Sequence, residues 1–275
     1  MNLPHDIFLY PPIHPTMTDT HSHIYGPEFS EDIDEVIARA RNAGVTRILL
    51  PNINRDSIQP MLNLSHAHPG FLYPMMGLHP EDVTAGYSAV LDEMERLLLQ
   101  PGNLYVAIGE VGLDFYWDTT FRDEQLCAFR RQVEWAVRYR LPLMIHCRAA
   151  HREMVNILKD YRHESLKGVF HCFGGTLDEA RELLSFPGFA LGIGGLVTFK
   201  KSPLPDVLTH VPLNRIVLET DAPYLAPTPH RGRRNESAYV ALTRDTLAHI
   251  YKVSPEAVDS CTDDTVLRIF NRLKE

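Results

Sequence analysis

The chain has 275 residues, 44% of them hydrophobic and 23% charged, and a formal net charge of −8. That acidic balance excludes a protein that coats nucleic acid along its length, which is ordinarily basic, but not a small positive or metal-filled cleft. No run of about 18 apolar residues exists to cross a membrane, and Cys127, Cys147, Cys172 and Cys261 show no C-x-x-C pairing, so they read as free thiols of a reducing cytoplasm.

Residues 1–16 are rich in proline, lack a basic start and have their apolar stretch broken by Pro11 and Pro12. They do not read as a signal peptide; the expectation is a loosely ordered extension before one domain at 17–275. A repeated strand-then-helix unit follows. The first strand is expected at 17–21 and its helix at 30–43, with Ser30 as cap, Glu31 and Asp32 in the first turn and Gly44 as the stop. Strands at 46–51, 71–77, 104–109 and 142–146 alternate with helices at 56–68, 88–100, 123–139 and 150–162. A strand at 168–171 leads to a helix opened by Thr176-Leu-Asp-Glu179, a capping-box pattern. A strand at 189–193 with a short helix at 204–209, and a strand at 215–219 with helices at 235–251 and 254–271, complete the chain. Ser254-Pro255-Glu256 reads as cap, first-turn proline and first-turn acid.

Eight strands each followed by a helix match the (β/α)8 TIM barrel, at close to its usual length. Runs such as Ile48-Leu49-Leu50 and Ile216-Val217-Leu218 are apolar throughout, as parallel strands covered on both faces are. A doubly wound open sheet is the alternative. In a barrel, the C-terminal strand ends converge on one mouth, so distant residues can share a site.

Five of these endings carry metal-ligand residue types: His21 and His23, Glu110, His146, His171 and Asp221. A spacing of two directs His21 and His23 to the same side of a strand. A lone carboxylate such as Glu110 in an apolar stretch is costly to bury unless paired or metal-bound. Imidazole and carboxylate donors suit Zn²⁺, Mn²⁺ or Fe²⁺. Six ligands exceed what one tetrahedral ion with an open position takes and suit two ions sharing a bridge, for which Glu110 is the best placed.

The chain resembles the TatD family of metal-dependent hydrolases, within the amidohydrolase superfamily. The resemblance rests on Asp19-Thr-His-Ser-His23, Gly77-Leu-His-Pro80, Gly109-Glu-Val-Gly-Leu-Asp114, His146-Cys-Arg148, His171-Cys-Phe-Gly174, Glu219-Thr-Asp-Ala-Pro-Tyr224 and Arg231-Gly-Arg-Arg-Asn-Glu236, in family order from Met17 onward. It implies His21, His23, Glu110 and Asp221 around one ion and Glu110, His146 and His171 around the other. Ser237 departs from the proline usual in the family, which bears on the local loop alone. The cofactor implied is a pair of divalent ions, Mg, Zn or Mn.

Around the ligands, His79 and Arg148 are read as substrate-phosphate contacts, and the Arg231-Gly-Arg233-Arg234 cluster as a phosphate-binding loop centred on Arg231. Gly174-Gly175 ahead of Thr176 offers helix-terminal amides to an anion. Cys147 and Cys172 follow ligand histidines and are expected to point away from the metals. Tyr116-Trp117 is read as packing on its neighbouring loop, with a stacking wall for a base as the other use. The function implied is hydrolysis of DNA phosphodiesters by metal-activated water, with Asp221 and Glu110 as catalytic residues. Carbonyl hydrolysis, of a small amide or of an aminoacyl-tRNA ester, is the alternative, and a binding protein with structural metals a third reading. No membrane and no obligate protein partner are indicated, and the expected location is the cytoplasm.

Overall fold

A computed structural model describes residues 16–274; the proposed extension falls on residues outside these, apart from Thr16. Eight parallel strands are present among the described residues: β1 Met17–Asp19, β2 Val45–Leu50, β3 Leu72–Pro74, β4 Ile108–Asp114, β5 Leu143–Arg148, β6 Gly168–Phe170, β7 Phe189–Ile193 and β8 Ile216–Leu218. They pair in chain order as two runs, β1 to β3 and β4 to β8. Parallel bridges at Met76–Ile108 and Ser22–Ala222 join the runs at both ends. With Thr20 N–H donating to Leu218 O at 3.0 Å, the last strand meets the first and no sheet edge is left. This is the TIM barrel, and closure removes the open-sheet alternative.

Around it lie α1 Ile33–Asn42, α2 Ile58–Ala67, α3 Tyr87–Leu98, α4 Arg122–Tyr139, α5 His151–Asp160, α6 Leu177–Leu184, α7 Leu204–Leu208, α8 Val240–Tyr251 and α9 Pro255–Ile269. Two expected helix starts move, each because a side chain is used elsewhere. Ser30 does not cap α1; Asp32 stands at the cap position, and its carboxylate is taken by Arg234 at 2.7 Å and Arg39 at 3.2 Å. The helix expected from 235 begins at Val240, because the buried Asn235 amide donates to Thr220 O and Tyr224 O at 2.8 and 2.7 Å. The Thr176–Glu179 capping box and the Ser254 cap form as expected.

Strand alternation divides the core in two. Leu49, Met75, Ala107, Met144, Val169, Ala190 and Val217 point into the barrel, where Val266, Ile269 and Phe270 at the end of α9 plug its base. Ile48, Leu50, Leu143, Ile145 and Leu218 face outward against the helices. Asp263 of α9 fastens the plug, accepting from Thr16 and Thr18 at 2.7 and 2.8 Å and pairing with Arg47. The base of the barrel is thus filled and pinned, leaving the opposite end open to chemistry.

Candidate metal centre

Glu110 does not end a strand, as its sequence position implied; it lies inside β4, which runs on to Asp114. The segment before Ile108 enters the barrel by two backbone bonds, Val106 N–H to Pro74 O and Met76 N–H to Ala107 O, and the β4–β5 register shifts between Ile108 and Val111. Beyond the shift, Gly112 sits at φ +148, where a Cβ would collide with the His146 carbonyl oxygen. Only glycine allows that approach, which brings Glu110 and His146 together. β5 likewise continues past His146 to Arg148, and His21 and His23 lie beyond the end of β1.

All six expected ligand residues nonetheless converge. Glu110 Oε2 is 3.0 Å from His21 Nε2 and 3.4 Å from His23 Nε2, and its Oε1 is 3.1 Å from His146 Nδ1 and 3.7 Å from His171 Nε2. Asp221 Oδ1 stands 3.8 Å from both His21 and His23 and 3.7 Å from His171. His21 stacks on His171 with ring centres 3.5 Å apart.

Neighbouring groups decide which ring nitrogen faces the centre. The Tyr25 hydroxyl gives its one proton to Pro51 O at 2.6 Å, so it accepts from His23 Nδ1 at 2.9 Å. That leaves the Nε2 lone pair of His23 inward. Asp114 Oδ2, 2.9 Å from His146 Nε2, turns Nδ1 inward in the same way. Glu219 Oε1 lies 3.1 Å from His171 Nδ1, off the line of a hydrogen bond, and accepts from Cys172 N–H at 2.6 Å. Gly192 leaves Glu219 its space, since a Cβ there would overlap the carboxylate. Asp19 is not part of the centre; it accepts from the Thr220 amide and hydroxyl at 2.9 and 2.7 Å and ties β1 to β8.

Imidazole lone pairs only 3.1 Å apart, as His21 and His23 Nε2 are, repel unless a proton or cation lies between them. With carboxylate oxygens closing the same space, the donor set fits divalent metal. The described residues include groups such as His21, His23 and Asp221, or His79, Glu110 and His146, whose ligand atoms lie within 4.8 Å of one another.

Residues 18–271 match the family model described as TatD related DNase. The chain belongs to the TatD family. It is 36% identical over 253 residues to the uncharacterized metal-dependent hydrolase YabD of Bacillus subtilis, covering 92% of this chain and 98% of that protein. It is 32% identical to the 3'-5' ssDNA/RNA exonuclease TatD of Edwardsiella piscicida, over 92% of this chain and 99% of that one. The structure of YjjV, a TatD homolog from Escherichia coli, superposes with a TM-score of 0.86 at 29% identity, covering 93% and 98% of the two chains. This TatD-family chain is accordingly a metal-dependent hydrolase.

The electrostatics of these TatD-family side chains follow from burial opposed by charge. Burial raises Glu110, but His21, His79 and His146 outweigh it and hold the carboxyl well below its usual range. Burial lowers His171, yet Glu219, Asp221 and Glu110 push it up to about 10. His146 reaches about 9 against burial because of Asp114 and Glu110. His21 falls well below the ordinary histidine value through burial and the neighbouring His171. Asp221 is raised, chiefly by burial.

His79 comes closer to the centre than its sequence position suggested, with Nε2 3.4 Å from Glu110 Oε1. Its Nδ1 accepts from the Glu81 amide at 3.2 Å, so the neutral ring carries its proton on Nε2. It therefore points a donor inward, the reverse of His23 and His146.

Four expectations are corrected. Cys172 does not point away: β6 ends at Phe170 and Cys172 has φ +50, so strand alternation no longer applies, and its sulfur groups with His171 and Asp221. Tyr116 and Trp117 do not pack on the neighbouring loop; they are 57% and 66% exposed, with the Arg148 guanidinium carbon 3.9 Å from the Tyr116 ring centre. Of the amides offered to an anion at the α6 terminus, two are taken by the capping box, Thr176 N–H by Glu179 Oε2 at 2.7 Å and Glu179 N–H by Thr176 Oγ1 at 3.3 Å. Arg234 is bound to Asp32, whereas Arg231 stays exposed with its guanidinium carbon 4.0 Å from the Phe199 ring centre. Ser237, the departure from the family pattern, is buried and donates to Ser22 Oγ at 3.1 Å. Tyr25 and Asp114 were missed as positioning groups; a polar residue two or four positions beyond a ligand was the available signal.

Proposed function

We propose that this centre holds two divalent cations, Mg, Zn or Mn, and hydrolyses phosphodiester bonds of DNA. The observation that carries the reading is Glu110, one oxygen of which faces His21 and His23 while the other faces His146 and His171. A carboxylate so divided suits a bridge between an ion held by His21, His23 and Asp221 and another held by His146 and His171. Bound there, the ions would supply Lewis acidity toward phosphate oxygens and an acidified water.

The chain's own residues supply the rest. Asp221 turns Oδ1 to the histidines and has Oδ2 to orient the attacking water and take its proton, a role its raised pKa favours. Glu110 is catalytic through the bridge. His79 holds a phosphate oxygen by its inward Nε2–H, and Arg148 and Arg231 bind phosphates farther out on the rim. Residues 17–275 act as one catalytic domain and 1–16 as an extension to it. The protein works in the cytoplasm, meets DNA transiently and needs no membrane or obligate protein partner. The unpaired state of all four cysteines supports that location. Among the described residues no helix is long and apolar enough to cross a membrane.

The test measures metal content and exonuclease turnover together, in wild type and His171→Ala. Two ions per chain with DNA cleavage, and joint loss in the variant, are expected. A loaded wild type that cleaves aminoacyl esters but no phosphodiester would move the chemistry to carbonyl hydrolysis.

A further inference from the structure

The two proposed ions are not equally served by the chain. His21, His23, Asp221 and one oxygen of Glu110 surround the first, whereas the second has only His146, His171 and the other oxygen of Glu110. Cys172 stands on the poorer side. Its sulfur, a ring nitrogen of His171 and a carboxylate oxygen of Asp221 lie within 4.8 Å of one another. Asp221 Oδ1 is 3.7 Å from His171 Nε2, so the sulfur stands where the two positions adjoin. Donor atoms around a single zinc ion, with bonds of 2.0–2.3 Å, are separated by roughly 3.5 Å. Rotation of the thiol about its one side-chain torsion closes such a gap without moving the backbone.

The backbone makes this placement. β6 ends at Phe170, and Cys172 has φ +50, a left-handed conformation that residues other than glycine seldom adopt. Two bonds hold the turn: Cys172 N–H donates to Glu219 Oε1 at 2.6 Å, and Phe173 N–H to Gly192 O at 3.0 Å. Cys147 follows His146 as Cys172 follows His171, yet it stays within β5 and packs among the outward-facing core side chains. The same His-Cys step therefore turns one sulfur away from the ligands and the other toward them. Sulfur also changes which ion is preferred. Imidazole and carboxylate leave magnesium, manganese and zinc all admissible, whereas a thiolate is soft and selects zinc.

We propose that Cys172 is a further ligand of the centre, giving its sulfur to the ion held by His146 and His171, and that it makes this position a zinc site. Ligation exchanges the S–H bond for a sulfur–metal bond, and the proton passes to solvent. Harder ions leave the thiol as it is. With the thiolate as fourth protein ligand, water still has a place, because zinc expands to five-coordination. The inference rests on the two-ion reading of the centre and assigns one of its ions.

The full chain is stripped with a chelator and loaded with Co²⁺, which occupies zinc sites and shows a sulfur-to-metal charge-transfer band in the near ultraviolet only where a thiolate is bound. Wild type and Cys147→Ser should take up two ions and show the band, and Cys172→Ser should take up two ions without it. Competition against a chromophoric chelator should find zinc affinity about 10- to 100-fold lower in Cys172→Ser and manganese affinity unchanged. Cobalt-loaded wild type without the band would overturn the ligand whether or not any variant folds. A band that survives Cys172→Ser, or equal losses of zinc and manganese affinity in that variant, would overturn it as well. One cobalt ion per wild-type chain, with or without the band, would instead defeat the two-ion reading.

Discussion

Replacing Glu110 by glutamine keeps the size of the side chain and removes its charge, which separates bridging from packing. Whichever way the amide turns, an NH2 group then stands where a carboxylate oxygen had faced the imidazoles. It meets either His21 and His23 at 3.0 and 3.4 Å or His146, His79 and His171 at 3.1, 3.4 and 3.7 Å. Glu110 is 3% exposed, so water cannot replace the missing charge. Breaking a buried charged network by removing one partner costs on the order of 3–5 kcal/mol. At about 1.4 kcal/mol per factor of ten, that is a loss of roughly 10² to 4 × 10³ in metal affinity. The assay is metal content after gel filtration against a weak chelator, with melting temperature recorded with and without EDTA. Wild type should lose stability in EDTA, and Glu110→Gln should be insensitive to it because both ions are already gone. Asp221→Asn, which touches the His21–His23 side, should keep the ion on the His146 side. If Glu110→Gln keeps full metal content and an EDTA-sensitive melt, Glu110 does not join the two histidine groups and the bridging argument fails.

Asp114→Asn and Glu219→Gln should each weaken metal binding by about 10- to 100-fold without altering a ligand, since they stand behind His146 and His171; competition titration with a chromophoric chelator checks this, and unchanged affinity would exclude a positioning role. Metal loading should release about two protons at pH 7, because His146 and His171 titrate near 9 and 10 in the metal-free protein and must be neutral to bind. Both values lie above the unfolded one, so these charges stabilise the metal-free fold fully below pH 6.5 and cease to as pH rises through 9 to 10. Calorimetry in buffers of different ionisation heat counts the protons, and a buffer-independent heat at pH 7 would contradict the assignment. Asp259 on α9 is 3% exposed, with Oδ1 unpartnered and Oδ2 3.4 Å from Arg244, and burial pushes it up to about 6. Its ionisation therefore opposes folding increasingly from about pH 4 to pH 6, and Asp259→Asn should gain about 1–2 kcal/mol at pH 8 and little at pH 4. Urea melts at the two pH values test it, and an equal gain at both would show that charge is not the cause.

The barrel was legible because eight apolar runs and their intervening helices each leave a local signature, down to the Thr176–Glu179 box. The gathering of these side chains was legible because His, Glu and Asp are costly where β-prone apolar runs place them. What the residue string does not carry is backbone placement that depends on a neighbouring strand. Glu110 ends an apolar run in sequence but lies within β4, because Gly112 allows the strand to continue beneath the His146 carbonyl. Cys172 was assigned by alternation two residues after alternation had ceased. Tyr116 and Trp117 carry no mark of exposure, since the Arg148 they meet comes from another strand.

Residue type also leaves open which way each imidazole is polarised, and the chemistry turns on that. His23 and His146 present lone pairs inward only because Tyr25 and Asp114 take the proton on the far nitrogen. His79, the same residue type at nearly the same distance from Glu110, presents a proton because the Glu81 amide occupies its other nitrogen. A hydroxyl, a carboxylate and a backbone N–H thus separate inward lone pairs from an inward N–H among identical side chains. His21 has no such partner, and its Nδ1 is buried without one. Its ring is held instead by stacking on His171, so the orientation of one histidine depends on that of the other, and on Glu219 behind it.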